Sequence, residues 1–137
     1  MSTLVLVRHG KTEWSNQNRF AGWADAPLSA GGEQEARVAG RSLARAGFSF
    51  DLACTTRSLE IMLEELRQDD LSVERSWRLN ERHYGSLQGH NRARMALQYG
   101  NDQLALVDRG FSDEPPALPD GDPRLPTLDP LYAGIDP

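Results

Sequence analysis

The sequence is short of most features that mark secreted, membrane-bound or nucleic-acid-binding proteins. Its single cysteine, Cys54, excludes an internal disulfide framework and leads us to expect a reducing compartment. No apolar run approaches the roughly 20 residues of a membrane helix. Arg8 interrupts the one aliphatic stretch near the N-terminus, so no secretory leader is expected and the cytoplasm is the expected address. Internal repeats are absent. Proline is scarce until residue 112, with Pro27 alone before it and the other seven prolines in 112–137. A broad basic face is also lacking, so neither nucleic acid nor a membrane is an expected partner.

What is present suits one soluble domain. The 137 residues are 39% hydrophobic and 26% charged, enough for a single modest core. The net charge of −5 is unevenly spread: residues 100–137 hold eight acidic and two basic side chains, a balance of −6. Residues 1–99 are therefore near neutral, with 13 basic against 12 acidic side chains. Arg75, Arg78, Arg82, Arg92 and Arg94 crowd into a stretch of twenty residues. That pattern suits a small anionic ligand, although any one of these arginines taken alone reads as a solvated surface charge.

Periodicity divides the chain into strands alternating with helices. Residues 3–7 form a continuous aliphatic run, which predicts a strand covered on both faces, as in a parallel sheet. Residues 10–28 read as a loop. Ser29 is a candidate N-cap for a helix carrying Ala36, Gly40 and Leu43, and Gly47 is its candidate terminator. Residues 50–54 and 71–77 are further candidate strands. Residues 57–68 predict an amphipathic helix with Leu59, Met62, Leu63 and Leu66 on one face, and 90–99 a further helix. An α/β fold with a mainly parallel sheet flanked by helices follows. Beyond Gly110 no apolar periodicity survives. Residues 1–111 are expected to form the domain, and 112–137 a Pro-rich extended segment of it with little order.

The chemistry is concentrated where the first strand ends. Ligands of parallel sheets bind beyond the strands' carboxyl ends, which is where Arg8 and His9 fall. Arginine matches phosphate oxygens with a two-pronged fork, and neutral histidine is a nucleophile near neutral pH. Gly10 allows close backbone approach. Together they predict a phosphate site with a nucleophile in it, although a histidine after a strand is often only a hydrogen-bonded surface residue. Trp14, Trp23 and Trp77 read as packing residues, His83 as structural, His90 as solvent-facing in a helical first turn, and Cys54 as a small hydrophobe.

The stretches "RHGKTEW", "NRFAGWADAPLSAGGEQEA", "SWRLNERHYGSLQG" and "YAGID" occur in this order over nearly the whole chain. With them the sequence resembles the cofactor-dependent phosphoglycerate mutases of the histidine phosphatase superfamily. The resemblance implies interconversion of 2- and 3-phosphoglycerate through a phosphohistidine, primed by 2,3-bisphosphoglycerate and needing no metal. It implies His9 as the nucleophile, Arg8 as a phosphoryl clamp and Glu81 as the general acid/base. By the same resemblance Arg82, Tyr84, Arg92 and Arg109 hold substrate phosphate or carboxylate. Ser15, Ala21 and Gly22 complete the substrate contacts. Homo-oligomers are common in the family and are allowed here.

The sequence also departs from the family pattern. Ser15 replaces an asparagine, Ala21 a threonine and Arg92 a lysine. Asp108 precedes Arg109 where the family has paired arginines, a reversal of charge at a phosphate-binding position. Between Thr55 and Leu59 the family has a longer segment, whose arginine joins Arg8 around the phosphoryl group; Arg57 replaces it only if the helix shifts. The family's later strand with a second catalytic histidine has no counterpart in this sequence. An incomplete phosphoglycerate mutase-like fold is therefore expected. The alternatives to a working mutase are a catalytically impaired remnant that binds anions or a partner chain, and a weak phosphatase.

Overall fold

A computed structural model describes residues 3–50, 53–54 and 57–132. The expected strand over 50–54, the "TTRSL" stretch and the "YAGID" motif each lie partly outside the described residues. The chain divides into two compact units: Met1–Glu13 with Pro27–Ser76, and Trp14–Ala26 with Trp77–Pro137. Helix α1, Glu13–Asn16, is a single turn.

The first unit is built on two helices, α2 (Ala30–Arg45) and α3 (Arg57–Leu66). The Ser29 side chain caps α2 as its sequence predicts, accepting the Gly32 N–H at 3.1 Å. The other end closes with Gly47 at φ 75°, where the N–H groups of Gly47 and Phe48 return to the carbonyls of Ala44 and Leu43. That pair of bonds satisfies two carbonyls left over by the helix, and the positive φ is why glycine stands there. The helices approach closely at Gly40, where an added Cβ would lie 2.9 Å from Met62 Cα. Ala36, Ile61 and Met62 form the core, with Leu28, Ala39 and Leu43 against it. Ile61 is fully buried, whereas Leu59 and Leu66 are only half-buried. Met62 and Leu63 of the expected face are buried, and Ser58 and Ile61, which the expected face leaves out, are buried with them. Arg37 and Arg41 bridge to Glu64 and Glu65 along the exposed side of this helix pair.

Strand β1 (Ala53–Cys54) pairs in parallel with β2 (Val73–Glu74), with Ala53 opposite Val73 and Cys54 opposite Glu74. This is the only sheet among the described residues. The expected strand over 71–77 is thus reduced to Val73–Glu74, and the expected strand over 3–7 is not formed. Residues 3–7 have no regular structure, and Leu4 and Leu6 are 81% and 86% exposed. The physical reason is the backbone: a buried strand needs ladder partners on its edges, and each unpaired buried group costs about 1–3 kcal/mol. With no such partner among the described residues, the segment keeps its amides in water. It thereby forgoes about 1.5–3 kcal/mol of burial for each large aliphatic side chain.

The second unit is helical. Helix α4 (Arg92–Tyr99) begins later than expected, because the Asn91 side chain caps it by accepting the Arg94 N–H at 3.2 Å. His90 precedes that cap and is not in the helix. Gly100, at φ 85°, ends α4 and starts α5 (Asn101–Arg109), a helix absent from the sequence expectations. Phe20, Tyr84, Leu87, Met95, Leu104 and Val107 make the core. The Pro-rich segment is extended, with short 3-10 turns at Pro126–Leu128 and Pro130–Tyr132. It touches the rest of the unit at defined points. Pro116 O accepts the Ser86 N–H at 2.8 Å, and Arg124 donates to Gln88 O at 2.9 Å. Trp23 packs on Trp77, Tyr132 and the edge of His83, which suits the packing role read from sequence. Among the described residues no helix is long and apolar enough to cross a membrane.

Candidate active site

In the first unit the turn after Val7 is held by its backbone. Gly10 N–H donates to the buried Ser58 Oγ on α3 at 3.0 Å. A Cβ on Gly10 would overlap the Gly32 carbonyl, and one on Gly32 would overlap the Lys11 carbonyl. Both glycines are therefore needed for close approach of the turn to the first turn of α2. Ser29 adds two bonds to Lys11 O, from its N–H at 2.9 Å and its hydroxyl at 3.0 Å. Arg8 and His9 project from this pinned turn and are exposed. His9 Nδ1 lies 2.7 Å from Gly10 O. A carbonyl only accepts, so Nδ1 carries the proton in this contact, and in the neutral ring the lone pair is then on Nε2. The Arg57 guanidinium bonds Glu60 on its own helix at 2.8 Å, which also raises its pKa.

In the second unit the predicted residues form two groups. Glu81 is exposed; its Oε1 accepts the Arg82 N–H at 3.1 Å and its carbonyl accepts the Trp23 indole N–H at 2.7 Å. Gly22 sits at φ 59°, and a Cβ there would overlap Gln88 Oε1. That same oxygen accepts the Trp23 N–H at 2.7 Å, so buried Gln88 shapes the turn that presents Ala21 and Gly22. Ser15 is exposed within α1.

The other group surrounds Asp108. Its Oδ1 accepts from Tyr84 OH at 3.0 Å and from Arg92 Nη1 at 2.8 Å. The Arg92 guanidinium carbon Cζ lies over Phe20, 4.0 Å from the ring centroid, and 5.6 Å from that of Tyr84. A guanidinium's several N–H donors let it bond Asp108 while its carbon sits over the ring, which gives arginine a structural role at this position. Burial works against both charges of the pair. Their mutual bond and attraction outweigh it, holding the Asp108 carboxyl below its ordinary range and the Arg92 guanidinium above its own. Burial, with the Asp108 charge second, pushes the Tyr84 phenol up. Arg82 donates to the carbonyls of Val107 and Gly110 and so caps the end of α5. Arg109 is exposed in the last turn of α5.

The structure brings Tyr84, Arg92 and Asp108 together in the second unit, while Arg8 and His9 belong to the first. Sequence reasoning gave no role to Ser58 or Gln88. Ser58 reads as one more residue of an amphipathic helix. Gln88 lies inside the "GSLQG" motif, which is the one signal that pointed to it. His83 is half-buried, accepts the Gly85 N–H at 2.9 Å and has its pKa lowered by burial, as suits a structural histidine. Among the described residues no cluster of three or more His, Cys, Asp or Glu side chains is arranged to hold a metal.

Residues 4–123 match the family model of the histidine phosphatase superfamily, branch 1. Over 97% of its length the chain is 50% identical to the 2,3-bisphosphoglycerate-dependent phosphoglycerate mutase of Hamiltonella defensa subsp. Acyrthosiphon pisum (strain 5AT). It spans 56% of that relative's length. Among solved structures, YhfR of Bacillus stearothermophilus is 26% identical, with a TM-score of 0.61 over 72% of this chain and 49% of its own. A phosphoglycerate mutase from Bacillus anthracis str. Sterne is 25% identical, with a TM-score of 0.60 over 71% of this chain and 42% of its own. A mycobacterial glucosyl-3-phosphoglycerate phosphatase is 26% identical, with a TM-score of 0.58 over 71% of this chain and 49% of its own. These neighbours share the phosphoglycerate mutase-like fold, to which this helix-rich α/β chain corresponds in part. The match of a family model to most of the sequence, joined by 50% identity to a curated member, means that the chain belongs to the histidine phosphatase superfamily.

Proposed function

We propose that the chain carries phosphoryl-transfer machinery of the phosphoglycerate mutase type, interconverting 2- and 3-phosphoglycerate in the cytoplasm. The observation that carries the reading is the 50% identity to a phosphoglycerate mutase over 97% of the chain. In this reading His9 is the nucleophile. With Nδ1 donating to Gly10 O, its Nε2 attacks phosphorus and a phosphorus–oxygen bond breaks on the opposite side. Arg8, exposed beside His9, balances charge on the phosphoryl oxygens, which is the main demand of such a transfer. Glu81 takes up and returns the proton of the substrate hydroxyl.

2,3-Bisphosphoglycerate, when bound, supplies the phosphoryl group that primes His9. Each unit offers donors that suit part of such a group by charge: in the first, Arg8 suits a phosphoryl group, and in the second, Tyr84, Arg92 and Arg109 suit phosphate or carboxylate. Arg82, already bonded to two carbonyls, would contribute charge more than new hydrogen bonds. Asp108 is the one residue in that set with the opposite sign.

The test is incubation with labelled 2,3-bisphosphoglycerate. The expected result is acid-labile phosphate on the wild-type chain and none on His9→Ala, with 2- and 3-phosphoglycerate exchanging in the same samples. No label on the wild type would sink the reading. A second reading, a weak phosphatase, is favoured by one observation: Asp108 fills the Tyr84–Arg92 position, which weakens the grip on a returning monophosphate. Label followed by inorganic phosphate, with no exchange, would select it.

A further inference from the structure

We propose that Asp108 is a built-in competitor for the anionic ligand, its carboxylate occupying the place between Tyr84 and Arg92 that a ligand oxyanion takes. The inference rests on the reading of Tyr84 and Arg92 as substrate-holding residues.

The argument begins with donor geometry. A phenol and a guanidinium converge on one oxygen, Asp108 Oδ1, at 3.0 and 2.8 Å. Convergent neutral and cationic donors of this kind bind phosphate and carboxylate oxygens alike. Both donors are pre-positioned: Tyr84 is buried in the core with Phe20, and the Arg92 guanidinium lies over the Phe20 ring. Asp108 is delivered by α5, whose neighbouring Val107 is buried in the same core. The carboxylate is thus held at its donors by the fold, at an effective concentration that a dissolved anion does not reach. An incoming oxyanion must displace it and then bind beside its negative charge. The arrangement keeps the second unit's oxyanion affinity low.

Asp108→Asn tests this with little change of shape, since its amide oxygen still accepts from Tyr84 and Arg92. Asp108→Ser serves as a second variant. The chain is titrated with inorganic phosphate and, separately, with acetate at constant ionic strength, following the side-chain Nε–H signal of Arg92. Tryptophan fluorescence melting verifies the fold. Removing one negative charge beside the bound anion should tighten binding about tenfold or more. Tightening for phosphate alone identifies a phosphoryl position, and for both anions a general oxyanion position; either supports the inference. Unchanged or weaker affinity in both variants overturns it. Loss of the folded state in both variants also overturns it, because Asp108 would then be a structural ion-pair partner. His9 labelling is scored separately. Label without tightening removes this inference and leaves the mutase reading, while tightening without label does the reverse.

Discussion

In the first unit Gly10 is wedged against Gly32 and Ser58, while the side chains of Arg8 and His9 stay exposed. In the second unit the polar ends are turned inward: Arg92 and Tyr84 onto Asp108, and Arg82 onto the carbonyls at the end of α5. The two units thus position charged and nucleophilic groups by different means. Steric exclusion around glycine fixes a backbone and leaves the neighbouring side chains open to a ligand. Charge pairing fixes the side chains themselves, and any ligand then has to compete with the partner already bound. Under the proposed function, a histidine nucleophile benefits from the first arrangement, and substrate-holding cations are restrained by the second.

The largest expected effects come from the cores that support each arrangement. Phe20→Ala removes a fully buried ring that lies under Arg92 and beside Tyr84, and should destabilise the second unit by about 3–5 kcal/mol. Because Trp14, Trp23 and Trp77 all belong to that unit, denaturant melting followed by tryptophan fluorescence reads the loss. Ile61→Ala should cost the first unit about 2–5 kcal/mol, read by far-ultraviolet circular dichroism. A fluorescence transition that moves equally in both variants would mean that the cores unfold together.

Ser58→Ala attacks the backbone arrangement itself. It leaves the Gly10 N–H without its partner and should cost about 1–3 kcal/mol. Amide exchange at Gly10 should accelerate while exchange at Phe20 stays slow. Unchanged exchange at Gly10 would refute the role given to Ser58. The smallest effect concerns an exposed pair in the Pro-rich segment, where bonding by Arg124 holds the Asp122 carboxyl at about 2, below its ordinary 3.8. A lowered carboxyl pKa stabilises the folded state above the ordinary value, and that contribution is lost as pH falls from 3.8 towards 2. The carboxyl carbon shift of Asp122 should titrate near pH 2, and Arg124→Ala should return it to the ordinary range.

Much of the fold was legible where local chemistry decides it. Ser29, Gly47 and the spacing of Ala36 and Gly40 define α2, and the structure keeps all four in those roles. Cap and terminator act through hydrogen bonds to nearby backbone, so a linear reading reaches them. The expected strand over 3–7 failed for the opposite reason. Its aliphatic run states a preference for burial, but a strand also needs partners that its own residues do not supply. The face of α3 was misread by a smaller margin, since which residue meets α2 depends on the close approach at Gly40.

The sequence by itself determined the family, the adjacency of Arg8 and His9 on which the proposed phosphate site rests, and the negative charge at Asp108 where the resemblance implies a cation. Residue identity alone carries each of these. Only the tertiary structure decided where that reversed charge goes, because α5 and the Phe20 core together aim Asp108 at Tyr84 and Arg92. It also decided that Arg57 bonds Glu60, and that Ser58 holds Gly10. A charge's partner is set by distance in space, and spacing along the chain does not contain that distance.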